Sequence, residues 1–176
     1  MGLNNYLLFA TFFAMLTSSQ YAFRKMTSAD FAMISAWQSH PHVREWWDSD
    51  EPGTNRELED GRVERWIVSF SERPFAYIQD YTVHGWKDHH FFSLPPGSRG
   101  IDQFIGEPDM VGRGHGPAFI SEHLKKVFAA GAPVVATDPH PDNARAIAAY
   151  KKAGFSAFGA ARQTPWGLIL PMKISR

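Results

Sequence analysis

The sequence contains no cysteine, and this absence removes several kinds of chemistry at once. Disulfide bonds, thiolate metal ligands and a cysteine nucleophile are all excluded. The chain also carries no net charge, because 18 Lys and Arg residues balance 18 Asp and Glu residues. We therefore expect neither nucleic acid nor a membrane surface as a partner.

Long apolar runs are absent as well. The most apolar stretch, residues 5–16, is shorter than the ~20 residues that a membrane-spanning helix needs. It has the length of a signal-peptide core, but no Lys or Arg precedes it. We interpret residues 1–20 as an N-terminal extension, with a signal-like segment or a start codon assigned too early as alternatives. Residues 21–176 are expected to form one domain.

Hydrophobic periodicity predicts a mixed α/β domain built on one central sheet. Mostly antiparallel strands come first, and a strand–helix–strand–helix–strand order follows. The predicted strands lie at residues 21–26, 66–70, 75–83, 99–106 and 134–137, with a closing hairpin that turns at 165–167. The predicted helices lie near residues 28–37, 55–65, 117–130 and 143–153, and residues 40–53 are expected to form a second short helix that runs into a loop.

A glycine-rich loop lies between the strand at 99–106 and the helix at 117–130. It reads VGRGHG and consists of Val111, Gly112, Arg113, Gly114, His115 and Gly116. Glycines let the backbone approach an anion closely, and a helix N-terminus favours phosphate. Arg113 could add a charge-assisted contact, whereas His115 is expected to contribute its backbone and to turn its ring to solvent. Purely structural turns remain an alternative.

A second unusual stretch, TDPHPDNARAIAAYKKAGF, spans residues 137–155. It predicts an alanine-rich helix with a single tyrosine, Tyr150, in its middle. Small alanines would let a ligand lie close to the helix, and the one long side chain would reach its reactive atom. The alternative is that Tyr150 belongs to an ordinary core face.

The glycine loop and the helix that follows it by about thirty residues resemble the GCN5-related N-acetyltransferase (GNAT) superfamily. Within it, GIDQ (100–103), EWW (45–47) and the TDP stretch are similar to aminoglycoside 6′-N-acetyltransferases. The resemblance covers residues 21–173. Val111 stands where the superfamily usually has Gln or Arg, and Trp166 stands where the narrower family has an acidic residue.

The resemblance implies an α/β fold whose mostly antiparallel sheet is flanked by helices and splayed between its fourth and fifth strands. It also implies that acetyl-CoA binds at the glycine loop, at Phe104 and at Asn143, which would contact the pantetheine arm. Tyr150 would protonate the departing thiolate. The acceptor amine would attack the thioester directly, and a backbone N–H before the glycine loop would polarise the thioester carbonyl.

For the acceptor, the resemblance implies that Asp102 is the general base and that Asp138 anchors the substrate. Trp47 and Trp86 would stack on sugar faces, and Asp88 would add negative charge near the cationic substrate. Other roles stay open. Asp102 could form a strand-end salt bridge, Asp138 could form an Asx turn, and the tryptophans could be core residues. A solvated surface role is open for the carboxylates Glu45, Asp80 and Asp88.

The loop at residues 84–98 contains three histidines. His84, His89 and His90 lack the spacing of a metal site, and no metal is expected. His89 or His90 is an alternative base for the acceptor amine, because imidazole titrates near neutral pH.

Together these residues predict an acetyl-CoA-dependent N-acetyltransferase that acts on a primary amine, the 6′-amino group of aminoglycosides. Another small amine, such as a hydroxylated lysine, a polyamine or a peptide, is the first alternative. A non-catalytic module that binds acetyl-CoA is the second. The use of acetyl-CoA favours a cytoplasmic protein, expected to be a monomer or a homodimer.

Overall fold

The computed structural model describes residues 20–47 and 54–176. The extension expected over residues 1–20 therefore lies outside the described residues, apart from Gln20. Within the described part, no helix is long and apolar enough to cross a membrane.

The described elements alternate in the order expected for a mixed α/β domain. The strands are β1 (Tyr21–Lys25), β2 (Val63–Phe70), β3 (Arg73–Thr82), β4 (Arg99–Ile105), β5 (Val134–Thr137), β6 (Ser156–Ala157), β7 (Arg162–Thr164), β8 (Gly167–Ile169) and β9 (Met172–Ser175). The α-helices are α1 (Phe31–Ser39), α2 (Pro41–Arg44), α3 (Asn55–Leu58), α4 (His115–Ala129) and α5 (Ala144–Lys152). Short 3₁₀ helices cover Ser28–Asp30 and Pro108–Met110.

Seven strands form one sheet in the order β1-β2-β3-β4-β5-β9-β6, and β7 and β8 form a separate hairpin. β1 to β4 are antiparallel neighbours, whereas β4 and β5 run parallel. The tight turn between β2 and β3 places Ser71 and Glu72 at φ values of 48° and 69°. Two successive positive φ values match the twist of a two-residue hairpin.

Helices cover both faces of the sheet because its central strands carry apolar side chains on both faces. On β2, Val68 packs with α4 and α5 in one core, and its neighbour Ile67 packs with α1 and α2 in another. Successive strand residues point to opposite faces, so both faces of the central strands need an apolar layer. The predicted fold class is confirmed.

Two helix boundaries differ from the sequence prediction. α4 begins at His115 rather than at residue 117, because Gly114 adopts a φ of 86° and turns the chain directly into the helix. The segment at 55–65 was expected to be helical throughout, which is wrong: α3 ends at Leu58, and β2 begins at Val63. Residues 63–65 belong to β2 because they pair with β3.

The sheet opens between β4 and β5. The two strands pair only at Arg99 with Val135 and at Gly100 with Ala136. Beyond Gly100, β4 continues through Asp102 to Ile105 without β5 beside it. This divergence leaves one edge of β4 open to a cleft.

Candidate active site

A cleft of about 1130 Å³ lies at the point where β4 and β5 separate. Ligand pockets in proteins commonly measure roughly 300–1,000 Å³, so this cleft has room for two substrates side by side. The glycine loop, α5, the open edge of β4 and the end of β5 line it. The loop at 84–98 and the β7–β8 hairpin form another part of its wall.

The glycine loop is shaped to hold an anion. Gly112 and Gly114 adopt φ values of 76° and 86°, which side-chain-bearing residues rarely adopt. A β-carbon built at either position meets nothing within 4 Å, so the backbone there is open to a ligand. α4 follows at once, and no side chain of the described residues caps its first turn. The first N–H groups of this helix therefore remain as donors for a phosphate.

α5 forms the neighbouring wall of the cleft. It begins after Asn143, whose Oδ1 accepts a 3.0 Å hydrogen bond from the backbone N–H of Ala146. This cap leaves the amide N–H groups of Asn143 as donors for a ligand. Ala146 and Ala149 also line the cleft, and their small side chains leave room for a ligand arm to lie close to the helix.

Tyr150 lies between the two diverging strands. It is 4 % exposed and packs edge-on against Phe155. Burial raises the pKa of its phenol above the ordinary value, against the smaller effects of nearby Thr137 on β5 and Gln103 on β4. Since partners on both strands act on the hydroxyl, it lies at the splay and stays protonated at neutral pH.

Asp102 lies on the open edge of β4, where its carboxyl faces the cleft. Burial, and next the negative charge of Asp138, raise the pKa of Asp102 to about 7, although the bond from Gln79 acts in the opposite direction. A carboxyl with that pKa is poised to gain and lose a proton near neutral pH, as a general base requires.

The sequence prediction missed the residues that orient Asp102. Gln79 donates a 2.8 Å hydrogen bond from Nε2 to Oδ2 of Asp102, and Tyr77 donates another of 2.8 Å to Oε1 of Gln79. Gln79 lies directly opposite Asp102 in the pairing of β3 with β4. The signal for this contact was the strand register, which the sequence pattern alone did not specify.

Asp138 follows β5 directly and faces Asp102 across the splay. The two carboxyls are close enough for a side-chain hydrogen bond, which favours the form in which they share a proton. On its other side, Oδ2 of Asp138 lies 2.8 Å from Nε2 of His90. A histidine and two carboxyls thus form a connected polar group in the cleft wall.

His89 and His90 stack on each other, with ring centroids 4.5 Å apart. Nδ1 of His89 accepts a hydrogen bond from the backbone N–H of Phe91. Burial, and next the neighbouring His90, lower the pKa of His89 to about 4. His89 is therefore neutral at physiological pH. Trp166, which is half exposed, lies 5.1 Å from His89 and 5.3 Å from His90.

Most of the predicted site residues line this one cleft. They are Trp47, Trp86, Asp102, Phe104, Val111, Gly112, Gly114, Gly116, Asp138, Asn143 and Tyr150. Phe104 stacks on Tyr77, with ring centroids 5.3 Å apart. Trp47 packs edge-on against Phe104, and Trp86 against Tyr81, so each has core contacts as well as a face in the cleft.

Three predicted residues do not line the cleft with their side chains. Asp88 is exposed to solvent. Arg113 is also exposed and donates a 3.4 Å hydrogen bond to the carbonyl of Asp109, away from the cleft. The ring of His115 was expected to face solvent, which is wrong: His115 is buried, and its Nδ1 lies 2.9 Å from the hydroxyl of Tyr21 on β1. The cause is packing, because Phe70 and Phe75 enclose the ring.

Asp80 also departs from expectation, because it is buried rather than solvated. It accepts hydrogen bonds from Arg99, Trp66 and His123, on the sheet face covered by α4. Although burial acts in the opposite direction, these partners lower the pKa of Asp80 below its ordinary value. Asp80 thus has a structural role behind the cleft. Within residues 20–47 and 54–176, no group of three or more His, Asp or Glu side chains could hold a metal ion.

Comparison with known proteins identifies the family to which this arrangement belongs. The acetyltransferase (GNAT) domain family matches residues 26–162. The chain belongs to the GNAT acetyltransferase family. The resemblance noted in the glycine loop and in α5 is therefore confirmed.

Individual relatives agree with this assignment. An aminoglycoside N(6′)-acetyltransferase type 1 of Klebsiella pneumoniae is 31% identical over 170 residues, which cover 87% of this chain and 82% of the relative. A crystal structure of aminoglycoside acetyltransferase AAC(6′)-Ib with coenzyme A and kanamycin is 29% identical, with a TM-score of 0.77, and covers 89% of this chain and 95% of that one. A structure of AAC(6′)-Ib with paromomycin and acetyl-CoA has the same identity and TM-score, and covers 89% and 93%.

Proposed function

We propose that this protein transfers the acetyl group of acetyl-CoA to a primary amine, and that the amine is the 6′-amino group of an aminoglycoside. The observation that carries the proposal is that Asp102 on β4 and Tyr150 on α5 both line the cleft at the splay of β4 and β5. A base and an acid in one cleft are what amide formation from an ammonium and a thioester needs.

The donor would bind along the glycine loop and α5. The open backbone at Gly112 and Gly114 and the first turn of α4 would hold its pyrophosphate, and Asn143 would hold its pantetheine arm. The Tyr150 hydroxyl would then give its proton to the sulfur. A thiol has a pKa near 8.5, so a phenol kept protonated by burial is a suitable proton source for the thiolate.

The acceptor would enter from the side of Asp102. A primary amine is protonated at neutral pH, and it becomes a nucleophile only after it loses a proton. Asp102 would take that proton, and Gln79 would hold the carboxyl in position. Asp138 would attract the cationic substrate, while Trp47 and Trp86 would offer flat faces to its sugar rings.

Two features support an aminoglycoside as the acceptor. The match to a relative named aminoglycoside N(6′)-acetyltransferase covers most of this chain, and two similar structures of AAC(6′)-Ib hold kanamycin or paromomycin. The large cleft also matches a substrate of several sugar rings beside a long cofactor arm.

A different small amine is the second candidate, and the charge of the cleft favours it. Beside Glu57, Asp102 and Asp138, the wall carries several basic or neutral nitrogen groups, among them Arg65, His89 and His90. A polycationic sugar is attracted less by such a mixed wall than by a uniformly acidic one.

A thiol-release assay with acetyl-CoA tests both candidates. The acceptors would be kanamycin-type aminoglycosides, lysine, hydroxylysine and polyamines, and the enzymes wild type, Asp102→Asn and Tyr150→Phe. We expect release with the aminoglycosides and a loss of about 10²-fold or more in kcat for each variant. Release with the other amines alone would show that the acceptor is a different amine, and the proposed acetyl transfer would still hold. Binding of acetyl-CoA without release on any amine would overturn the proposal.

A further inference from the structure

His90 is buried in the cleft wall in an unusual way. Its side chain is only 7% exposed, and Nε2 lies 2.8 Å from Oδ2 of Asp138. Neither ring nitrogen makes a hydrogen bond of good geometry with any of the described residues. A buried imidazole normally satisfies at least one nitrogen, so its contact with a carboxyl of the active site calls for an explanation.

The chemistry of acetyl transfer to an amine leaves one proton without a destination. The acceptor enters as an ammonium with three protons on nitrogen and leaves as an amide with one. A C–N bond forms and the C–S bond breaks, so one of the two released protons ends on sulfur as the thiol. The other must leave the cleft before the next ammonium binds, since Asp102 can act as a base only when it is deprotonated.

We propose that His90 accepts this surplus proton from Asp102 through Asp138 and releases it to water. The inference rests on acetyl transfer to an amine, but not on which amine is the acceptor. Asp102 and Asp138 lie within hydrogen-bond reach, and Oδ2 of Asp138 lies 2.8 Å from Nε2 of His90. His90 also lines the cleft, where 7% of its side chain remains exposed to solvent.

The groups around His90 fit this role. From its own loop, His89 stacks on it and is held neutral, and Phe91 packs at a centroid distance of 4.1 Å. From the β7–β8 hairpin, Trp166 covers the ring, and Arg162 donates to the backbone carbonyl of His90 rather than to its ring. Asp138 is the carboxylate that contacts the ring. An imidazolium at this position would thus be stabilised chiefly by Asp138.

His89 does not serve this role, although it lies beside His90. Its Nδ1 is occupied by the backbone N–H of Phe91, and its pKa of about 4 keeps it neutral. A residue that must bind a proton near neutral pH in every turnover cannot have such a low pKa. The structure therefore separates two adjacent histidines that the sequence does not distinguish.

The kinetic test uses His90→Gln, which retains a polar side chain but cannot take up a proton at neutral pH. We expect kcat to fall about 10- to 100-fold, with KM for acetyl-CoA unchanged. In His90→Gly, added imidazoles should restore kcat in proportion to their basicity, which a space-filling role does not predict. Asp138→Asn combined with His90→Gln should cost little more than one change alone. His84→Gln, in the same loop but outside the cleft wall, is the matched control.

A second measurement does not depend on any acceptor. Ring ¹⁵N signals of His90 in the free protein report its charge as the pH is varied between about 5 and 9. We expect the pH dependence of these signals to differ between wild type and Asp138→Asn, because the amide no longer stabilises an imidazolium. If His90 keeps one charge throughout, or responds identically in Asp138→Asn, the proposal is overturned. It is also overturned if wild type acetylates an amine and His90→Gln matches its kcat and pH profile.

The kinetic test and the ring ¹⁵N measurement distinguish a failure of the proposed function from a failure of the inference about His90. A wild-type protein that releases no thiol with any amine contradicts the proposed function, and the ring titration then still decides whether His90 is linked to Asp138. An active wild type with an unaffected His90→Gln variant contradicts only the inference about His90.

Discussion

The phenol ring of Tyr81 lies directly over Gly100, so that a β-carbon added to this glycine would sit 2.2 Å from the ring. Gly100 pairs with Tyr81 on β3 and with Ala136 on β5, and it marks the last point at which β4 and β5 are joined. A bare glycine thus lets a large ring cover the origin of the cleft.

This contact predicts that Gly100→Ala is strongly destabilising. The added methyl group must displace the buried ring of Tyr81, and overpacking of this kind costs roughly 1–3 kcal/mol or more. Urea unfolding measures the loss. Gly61→Ala is the matched control, since a β-carbon there meets nothing within 4 Å. Equal stability of the two variants would show that the ring moves aside freely.

The pKa of Asp102 predicts how activity depends on pH. Because this pKa is raised to about 7 and the base must be deprotonated, kcat/KM should rise with pH and level off above that value. The midpoint should be the same for two acceptors whose amines differ in basicity. A midpoint that follows the acceptor would assign the transition to the substrate instead of Asp102.

The same raised pKa predicts a gain in stability for Asp102→Asn. Between the unfolded value near 3.9 and the folded value near 7, the folded state binds more protons than the unfolded state. The free energy of unfolding of wild type therefore falls as pH rises through this window, and the loss remains above it. Asn can still accept the bond from Gln79, so at pH 8 this variant should be more stable by about 1–3 kcal/mol.

Chemical unfolding at pH 4 and at pH 8 checks this prediction. The difference between Asp102→Asn and wild type should be small at pH 4 and large at pH 8. A difference that does not change with pH would mean that Asp102 does not carry the raised pKa.

The glycine loop offers a test with a closely matched control. Gly114 and Gly131 both adopt positive φ, at 86° and 100°, and both have open space where a β-carbon would stand. Substitution by Ala should therefore cost each about 1–2 kcal/mol of stability. Only Gly114→Ala should weaken acetyl-CoA binding as measured by calorimetry, because Gly114 lines the cleft and Gly131 does not. Equal affinities would remove the glycine loop from the binding site.

What could be predicted from the sequence was whatever a local pattern encodes. The glycine loop, the start of a helix near Asn143 and the single tyrosine of α5 are each set within a few residues, and they were found. Gln79 was missed because its partner Asp102 is distant in sequence and meets it only through strand register. His115 is enclosed by Phe70 and Phe75, and Asp80 bonds to His123, so neither burial could be inferred from neighbouring residues.

The two adjacent histidines illustrate the same limit. In the sequence, His89 and His90 are equivalent candidates for a base. In the structure, His89 accepts a hydrogen bond from the backbone N–H of Phe91, whereas His90 contacts Asp138. Only the three-dimensional arrangement of the loop separates their roles.

The most direct test of the account compares two aminoglycosides that differ only at the 6′ carbon, one with an amine and one with a hydroxyl there. Each is incubated with acetyl-CoA and the wild-type protein, and both thiol release and product mass are measured. The account predicts release of coenzyme A and the addition of one acetyl group with the 6′-amine alone. Acetylation of both compounds, or of neither while other small amines react, would contradict it.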